Sequence, residues 1–196
     1  LLIPLLKDLK DKIFIPSSAQ SEELLIKNGL KVGCLNQHPL IDVTLDGVDS
    51  IFVEENVVFK GKGGCFLMEK VLIANSKKTI LVGTSDKIIK KSDLSKFSIS
   101  IEILPKCLNS CQNFIKSNFD VQNMKTRQSE KNKIGYVVSD NANFIVDVEF
   151  QQTFDKFDQF LKFVENLEMK LNQVPGVFGT GIFLDMVDIF VTGDCK

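Results

Sequence analysis

The stretch from Asp46 to Lys70 restricts the fold more than any other part of the sequence. It follows an alternating strand pattern, DVTLDG over 42–47, with two carboxylates, Asp46 and Asp49. A glycine-rich turn, KGKGG over 60–64, then leads into the start of a helix. Acidic side chains at the end of a strand, beside a glycine turn that precedes a helix, are typical of the ligand-binding crevice of an α/β sheet. The stretch therefore predicts an α/β fold with a site in this region.

The segment before residue 85 alternates between strand and helix patterns. Ser17 and Gln20 have the spacing of a capping box at the start of the first helix, and Asn28-Gly29 is a typical helix stop. The strand–helix–strand order predicts a parallel sheet. The predicted strands are 12–15, 31–35, 42–47 and 79–84, and the second helix covers about 64–75.

The pattern changes near residue 98. SISIEI at 98–103 alternates as a half-buried strand does, and Pro105 begins a helix. The polar run at 122–133 is interpreted as a solvated loop. Two strands, IGYVV and NFIVDVEF, are joined by a turn at 139–142, which predicts a hairpin. A long amphipathic helix from Phe154 to Leu171 and two strands, 179–184 and 187–192, complete the chain.

These two patterns predict two domains. We expect a Rossmann-like parallel-sheet domain over 1–99 plus 186–196, to which the last strand returns. A smaller α+β lid of ferredoxin-like type is predicted over 100–185. The cleft between the domains should be lined by 46–49 and 60–69.

Composition excludes several classes of function. A net charge of −1 over 196 residues gives no basic surface for nucleic acid, and no apolar run reaches the length that spans a membrane. The first residues have no basic region before their apolar ones, so no secretory signal is predicted. The five scattered cysteines indicate free, buried thiols in a reducing cytoplasm rather than a disulfide framework. Cys107 and Cys111 have the spacing of one helix face, and no metal site is predicted.

Several motifs resemble one enzyme family. DGVD at 46–49 and KGKGGCFLMEK at 60–70 are similar to the DGxDE and KGGGGxxxxEK motifs of type A ribose-5-phosphate isomerases. Further matches follow in the same order and cover nearly the whole chain: TSDK at 84–87, SIEILP at 100–105, SDNANFIVDV at 139–148 and PGVFGTGIF at 175–183.

The resemblance implies an activity. It implies interconversion of D-ribose 5-phosphate and D-ribulose 5-phosphate through an enediolate, as in the non-oxidative branch of the pentose phosphate pathway. It further implies that the enzyme uses no metal or organic cofactor, lies in the cytoplasm and forms a homodimer or homotetramer. The partner is then a small sugar phosphate, with no nucleic acid and no membrane.

Such a reaction needs a base that moves a proton between adjacent carbons, and positive charge near the enediolate oxygen. His38, the only histidine, lies far from the motifs, so a carboxylate is the better candidate. By the resemblance Glu69 is the general base. Asp46 assists ring opening and binds hydroxyls, and Lys60 neutralises the developing charge.

The resemblance also implies the binding residues. Asp49 orients the substrate, and the amides of Gly61, Gly63 and Gly64 assist Lys60. Lys87, in the TSDK motif, matches a lysine near the sugar phosphate. Without the motifs, these residues would be ordinary turn and surface residues.

The chain departs from the family pattern at three places. Ser50 replaces a glutamate, and Lys62 replaces a glycine at a position that need not have positive φ. One extra residue lies between Asp49 and Lys60. The family's phosphate-binding loop, of the type GxGTGST, has no counterpart in the given sequence, and we expect it upstream of residue 1, with LLIPLLKDL as the helix that follows.

Two alternatives to the enzyme stay open at this point. One is a non-catalytic sugar-phosphate sensor, because effector domains of some bacterial repressors have a similar fold. The other is a homologue whose activity has decayed, in which Ser50 and Lys62 record the loss.

Overall fold

The structure is a computed structural model, which describes residues 6, 8–91, 94, 97–129, 134–151 and 154–193. The strands are β1 (Ile13–Phe14), β2 (Lys31–Val32), β3 (Thr44–Gly47), β4 (Ser50–Phe52), β5 (Val57–Phe59), β6 (Thr79–Gly83), β7 (Ser98–Ile103), β8 (Val121–Thr126), β9 (Phe144–Phe150), β10 (Val177–Thr180), β11 (Ile182–Leu184) and β12 (Ile189–Thr192). The α-helices are α1 (Ala19–Lys27), α2 (Phe66–Ala74), α3 (Leu108–Asn118) and α4 (Phe157–Asn172).

Parallel pairing organises the first unit. β6 lies between β3 and β12 and runs parallel to both, while β1 and β2 form a second parallel pair. The carboxyl ends of β3 and β6 therefore lie at one edge of the sheet, where ligands bind in α/β folds. The predicted parallel sheet and the return of the final strand to it are both confirmed.

The start of α1 differs from the sequence prediction by one residue. Ser18, not Ser17, is the N-cap, and it forms a capping box with Ser21 rather than with Gln20. Ser17 and Gln20 have the same spacing, so the pattern alone does not separate the two registers.

A β-hairpin between β3 and α2 was not predicted. β4 and β5 pair in antiparallel fashion, and β11 adds a third strand beside β5. The strand predicted over 179–184 is divided at Gly181 into β10 and β11, which join different sheets. Gly181 makes the division possible because a Cβ there would lie 1.9 Å from the carbonyl oxygen of Lys60.

The second unit has the ferredoxin-like order. Its elements follow as β7, α3, β8, β9, α4 and β10, and the antiparallel sheet has the order β10-β7-β9-β8. This confirms the predicted lid fold. The solvated loop predicted at 122–133 is wrong over its first half, since β8 pairs with β9 there. Residues 130–133 lie outside the described part.

Two hydrophobic cores stabilise these units. The larger one lies between the four-stranded sheet and helices α3 and α4, and it contains Phe160, Val164, Leu167 and Leu171 of α4. Phe154 packs against this core but precedes the helix. The smaller core surrounds Phe66 of α2. Ile145 of β9 belongs to the smaller core, so the two units pack directly on each other.

The hairpin turn and the cysteines agree only in part with the sequence predictions. The predicted hairpin turn at 139–142 is present, although its first strand is reduced to isolated bridges such as Val138 with Phe144. The described cysteines are free, but only Cys111 is buried and Cys34 is exposed. Cys195 and most of LLIPLLKDL lie outside the described residues. Within the described part, no helix is long and apolar enough to cross a bilayer.

Candidate active site

A cleft of about 220 Å³ opens where β3, β5 and the start of α2 meet. Six of the eight residues predicted for the site line it, together with Gly47 and Val48. The six are Asp46, Asp49, Lys60, Gly61, Gly63 and Glu69. The fold thus brings together side chains that the sequence separates by more than twenty positions.

Lys60 is the central cation of the cleft. It follows β5 directly, and its backbone N–H donates to the carbonyl of Gly181 at 2.8 Å. Its Nζ lies 2.9 Å from Asp46 Oδ2 and 3.3 Å from Glu69 Oε2, and it donates to the carbonyl of Gly47 at 2.6 Å. An ammonium has three donors. These three acceptors match that number, so buried Lys60 is fixed between the two carboxylates.

Glu69 lies in the first turns of α2, with its backbone N–H donating to the carbonyl of Cys65. Its side chain is 15% exposed. Burial raises the pKa of Glu69, the Lys60 cation opposes this, and Asp46 and Asp49 add to it, so the pKa reaches about 7. A carboxyl with this pKa can both take up and release a proton near neutral pH.

Lys60 has the opposite balance. Burial lowers the pKa of its ammonium, but the carboxylates of Asp46 and Glu69 more than offset burial and leave the pKa raised. Lys60 therefore stays positively charged at neutral pH. The cleft holds a fixed cation beside a carboxyl that titrates, which suits stabilisation of a transient oxyanion.

The glycine turn needs glycine at two positions. Gly61 has φ 149° and Gly64 has φ 76°, values that other residues rarely adopt. At Gly61 a Cβ would also lie 2.2 Å from Ser100 Oγ. Lys62 is not among the described residues with positive φ, which confirms that this position tolerates a side chain.

Asp49 is oriented by this turn. Its Oδ2 accepts the backbone N–H of Lys62 at 2.9 Å. Gly64 closes the turn by donating to the carbonyl of Gly61 at 3.0 Å, but it does not line the cleft. The turn therefore connects a cleft carboxylate to the start of α2.

Lys87 lies outside the cleft lining. It belongs to a short 3-10 turn, Ser85–Lys87, after β6, and its Nζ contacts Asp86 at 3.3 Å. Because β6 runs parallel to β3, the carboxyl ends of both strands lie at the same edge of the sheet. Lys87 comes after the end of β6, and Asp46 lies near the end of β3. Its role in binding phosphate stays a prediction.

Arg127 was missed by sequence reasoning. It directly follows β8, and its guanidinium donates to the carbonyl of Gly61 at 2.9 Å. It also pairs with Asp147 at 2.6 Å. The polar sequence over 122–133, which includes Arg127, predicts a solvated loop, and a loop gives no reason to expect a contact with the glycine turn. The available signal was that Arg127 is the only arginine in the sequence.

The remaining candidate groups do not form a second site. His38 is partly buried in the loop after β2, beside Gly33. Across the described ranges, no group of three or more His, Cys, Asp or Glu side chains is placed to hold a metal ion. Burial, with the charge of Glu69 next in size, raises the pKa of the Cys65 thiol. This disfavours the thiolate at neutral pH.

This chain is similar to several known ribose-5-phosphate isomerases. The family model for ribose 5-phosphate isomerase A (phosphoriboisomerase A) matches residues 13–196. The ribose-5-phosphate isomerase of Dictyostelium discoideum is 34% identical over 195 residues, covering 96% of this chain and 79% of that protein. Ribose-5-phosphate isomerase A of Pyrococcus abyssi is 31% identical over 187 residues, covering 95% and 76%.

Solved structures give the same result. A D-ribose-5-phosphate isomerase in complex with phospho-erythronic acid superposes with a TM-score of 0.83 at 29% identity, covering 97% of this chain and 80% of that one. The ribose 5-phosphate isomerase of Plasmodium falciparum gives a TM-score of 0.81 at 26% identity, covering 97% and 78%. The length of the family match, the relatives above 30% identity and the shared fold agree, and the chain belongs to the ribose 5-phosphate isomerase A family.

Proposed function

We propose that the protein interconverts D-ribose 5-phosphate and D-ribulose 5-phosphate, with Glu69 as the base that moves the proton. The observation that carries the proposal is the position of Glu69 Oε2, 3.3 Å from the Nζ of the buried Lys60 in a cleft that also contains Asp46. A base and a fixed cation side by side are what an enediolate mechanism requires.

The proton transfer follows from these positions. Glu69 takes the C2 proton of the open-chain aldose, and the C2–H electron pair forms the C1–C2 double bond as the carbonyl electrons move to O1. Lys60, with the backbone N–H of Gly63, stabilises the negative charge on the oxygen. The proton returns from Glu69 to C1 while the hydroxyl proton passes from O2 to O1, and the ketose forms with no net change in atoms or electrons.

The other residues support binding and ring opening in this proposal. Asp46 takes the O1 hydroxyl proton and passes a proton to the ring oxygen O4 as the C1–O4 bond breaks, and Asp49, held by the Lys62 N–H, orients the open chain. Lys87 attracts the phosphate from the same sheet edge. The phospho-erythronic acid bound in a structurally similar isomerase supports a phosphorylated four- or five-carbon acid or sugar as the ligand class.

Cellular context belongs to the same proposal. We place the enzyme in the cytoplasm, in the pentose phosphate pathway, as a homodimer or homotetramer. The free described cysteines support a reducing compartment. Light scattering coupled to gel filtration measures the oligomer directly.

Turnover by the full-length protein tests the proposal. We expect ribose 5-phosphate to be converted to ribulose 5-phosphate without added cofactor, and a Glu69→Gln variant to bind but not convert it. Binding of the sugar phosphate by the wild type without conversion would favour the sensor or the decayed homologue. An exposed-glutamate variant, Glu165→Gln on α4, is the matched control and should keep full activity.

A further inference from the structure

We propose that Arg127 is a positioning residue for the isomerisation, which holds the glycine turn from the side opposite the substrate. In this position it orients two backbone N–H groups, those of Lys62 and Gly63, toward the cleft. The inference rests on the proposed function, because one of these N–H groups holds Asp49 and the other faces the developing oxyanion.

The guanidinium is itself fixed by the lid sheet. Its Nε donates to Asp147 Oδ2 at 2.9 Å and its Nη2 to Asp147 Oδ1 at 2.6 Å, which is the two-point pairing that arginine geometry favours. Nη2 also donates to Ser100 Oγ at 3.1 Å, and Ser100 donates to Asp147 Oδ1 at 2.7 Å. Asp147 of β9 and Ser100 of β7 thus set the direction of a side chain that directly follows β8.

The remaining nitrogen reaches the turn. Nη1 donates to the carbonyl of Gly61 at 2.9 Å and, more weakly, to that of Lys62 at 3.4 Å. A Cβ at Gly64 would lie 3.5 Å from Nη1, an ordinary contact distance, but only 2.8 Å from Ile145 Cδ1, so Ile145 rather than Arg127 restricts this position to glycine. A lysine ammonium is a single point and cannot hold Asp147 at two points and the turn together.

Because a peptide group is planar, Arg127 fixes the direction of an N–H group whenever it holds the carbonyl of the same peptide. In a trans peptide the C=O and N–H groups point in opposite directions, and the described residues contain no cis peptide. The peptide whose carbonyl is that of Gly61 carries the Lys62 N–H, which donates to Asp49 at 2.9 Å. The peptide whose carbonyl is that of Lys62 carries the Gly63 N–H. Gly63 lines the cleft, and its N–H has no acceptor among the residues that the structure describes.

The two donors therefore have separate tasks. The Lys62 N–H holds Asp49 in its orientation, and the Gly63 N–H is available to the enediolate oxygen beside Lys60. Loss of Arg127 should weaken stabilisation of the transition state more than binding of the ground state.

Steady-state kinetics of Arg127→Ala and Arg127→Lys in the full-length protein tests this. We expect kcat to fall about 10- to 100-fold in both variants, somewhat less than for removal of a complete oxyanion donor, while KM changes less than about threefold. Added guanidinium ion should restore part of kcat in the alanine variant in a saturable manner. Lys162→Ala, which removes an exposed cation from α4, is the control. Its kcat should equal that of the wild type and should not change when guanidinium is added.

Binding of phospho-erythronic acid, measured by calorimetry, gives a readout that does not depend on turnover. We expect its carboxylate to accept from the Gly63 N–H, as the enediolate oxygen does. The affinity for this ligand should therefore fall in proportion to kcat, while KM stays nearly constant. Wild-type kcat in Arg127→Lys would overturn the inference even if the alanine variant failed to fold. The inference would also be overturned if Arg127→Ala folded and lost kcat, but added guanidinium restored none of that kcat. Absence of turnover in the wild type would instead refute the proposed function, and the inference with it.

Discussion

The Nζ of Lys60 lies 3.3 Å from Oε2 of Glu69, and the two side chains are 6% and 15% exposed. Because the pair is shielded from water, each group strongly changes the pKa of the other. The proximity of Lys60 holds the pKa of Glu69 to about 7, below the value that burial and the neighbouring aspartates would otherwise produce. This relationship determines how activity and stability depend on pH.

The activity of the wild type should rise with pH through about 7, since Glu69 must lose its proton to act as a base. Lys60→Met should lower kcat about 100- to 1,000-fold, because it removes a charge that faces the oxyanion. It should also move the acidic limb of the rate profile to higher pH, because the cation that opposes protonation of Glu69 is gone.

A pH–rate profile of kcat from pH 5 to 9 measures both effects. Lys77→Met serves as the control, because Lys77 pairs with Asp42 at the exposed surface and such pairs contribute little. An acidic limb that stays in place in Lys60→Met would contradict the coupling of Lys60 to Glu69.

Stability should depend on pH in the opposite sense. The pKa of Glu69 rises from 4.5 to about 7 on folding, so between these values the folded protein binds more protons than the unfolded chain. Stability from this group is complete below pH 4.5 and is lost as pH rises through 7. We expect Glu69→Gln to gain up to about 3 kcal/mol relative to the wild type over this interval. Urea unfolding at pH 5 and pH 8 measures the difference, and a difference that is equal at both values would exclude the raised pKa.

Gly181→Ala should damage both the fold and the site. The added Cβ would lie 1.9 Å from the carbonyl oxygen of Lys60, so β5 and β11 must separate. We expect a loss of about 1–3 kcal/mol in unfolding free energy and a lower kcat, because the position of Lys60 depends on this pairing. Gly193→Ala is the matched control, since no heavy atom lies within 4 Å of its Cβ position. Equal thermal stability of the two variants would refute the close approach.

Lys62→Gly should leave the reaction nearly unchanged. The backbone N–H that holds Asp49 is present with either residue, so we expect kcat within about threefold of the wild type. Stability should fall by about 0.5–1 kcal/mol, because glycine loses more backbone freedom on folding. Thermal unfolding and steady-state kinetics of the variant measure the two effects. A large loss of kcat would show that the Lys62 side chain takes part in catalysis.

Local pattern was sufficient for much of the fold, whereas the candidate site residues were predicted from the resemblance of their motifs to an isomerase family. Alternation in SISIEI locates β7 to the residue, but the prediction of a half-buried strand is wrong, because every residue from Ile99 to Ile103 is buried, Ser100 and Glu102 included. The residues of the acidic and glycine motifs, Asp46, Lys60 and Glu69, lie in one cleft. The β4–β5 hairpin was missed because its strands have only three residues each, too few to show a period. β8 was missed because its polar side chains are exposed, and its pairing with β9 is a tertiary effect. Arg127 was missed for the same reason, since its contacts with Gly61 and Asp147 exist only after the sheet forms.

Proton exchange with solvent tests the role of Glu69 most directly. Ribose 5-phosphate is incubated in D2O with the wild type and with Glu69→Gln, and deuterium at C1 of any product and at C2 of the remaining substrate is followed by NMR. We expect the wild type to incorporate deuterium, because a carboxyl base exchanges its proton with solvent during the reaction. The Gln variant should bind phospho-erythronic acid and incorporate none. Incorporation by the Gln variant at the wild-type rate would contradict the assignment of Glu69 as the base.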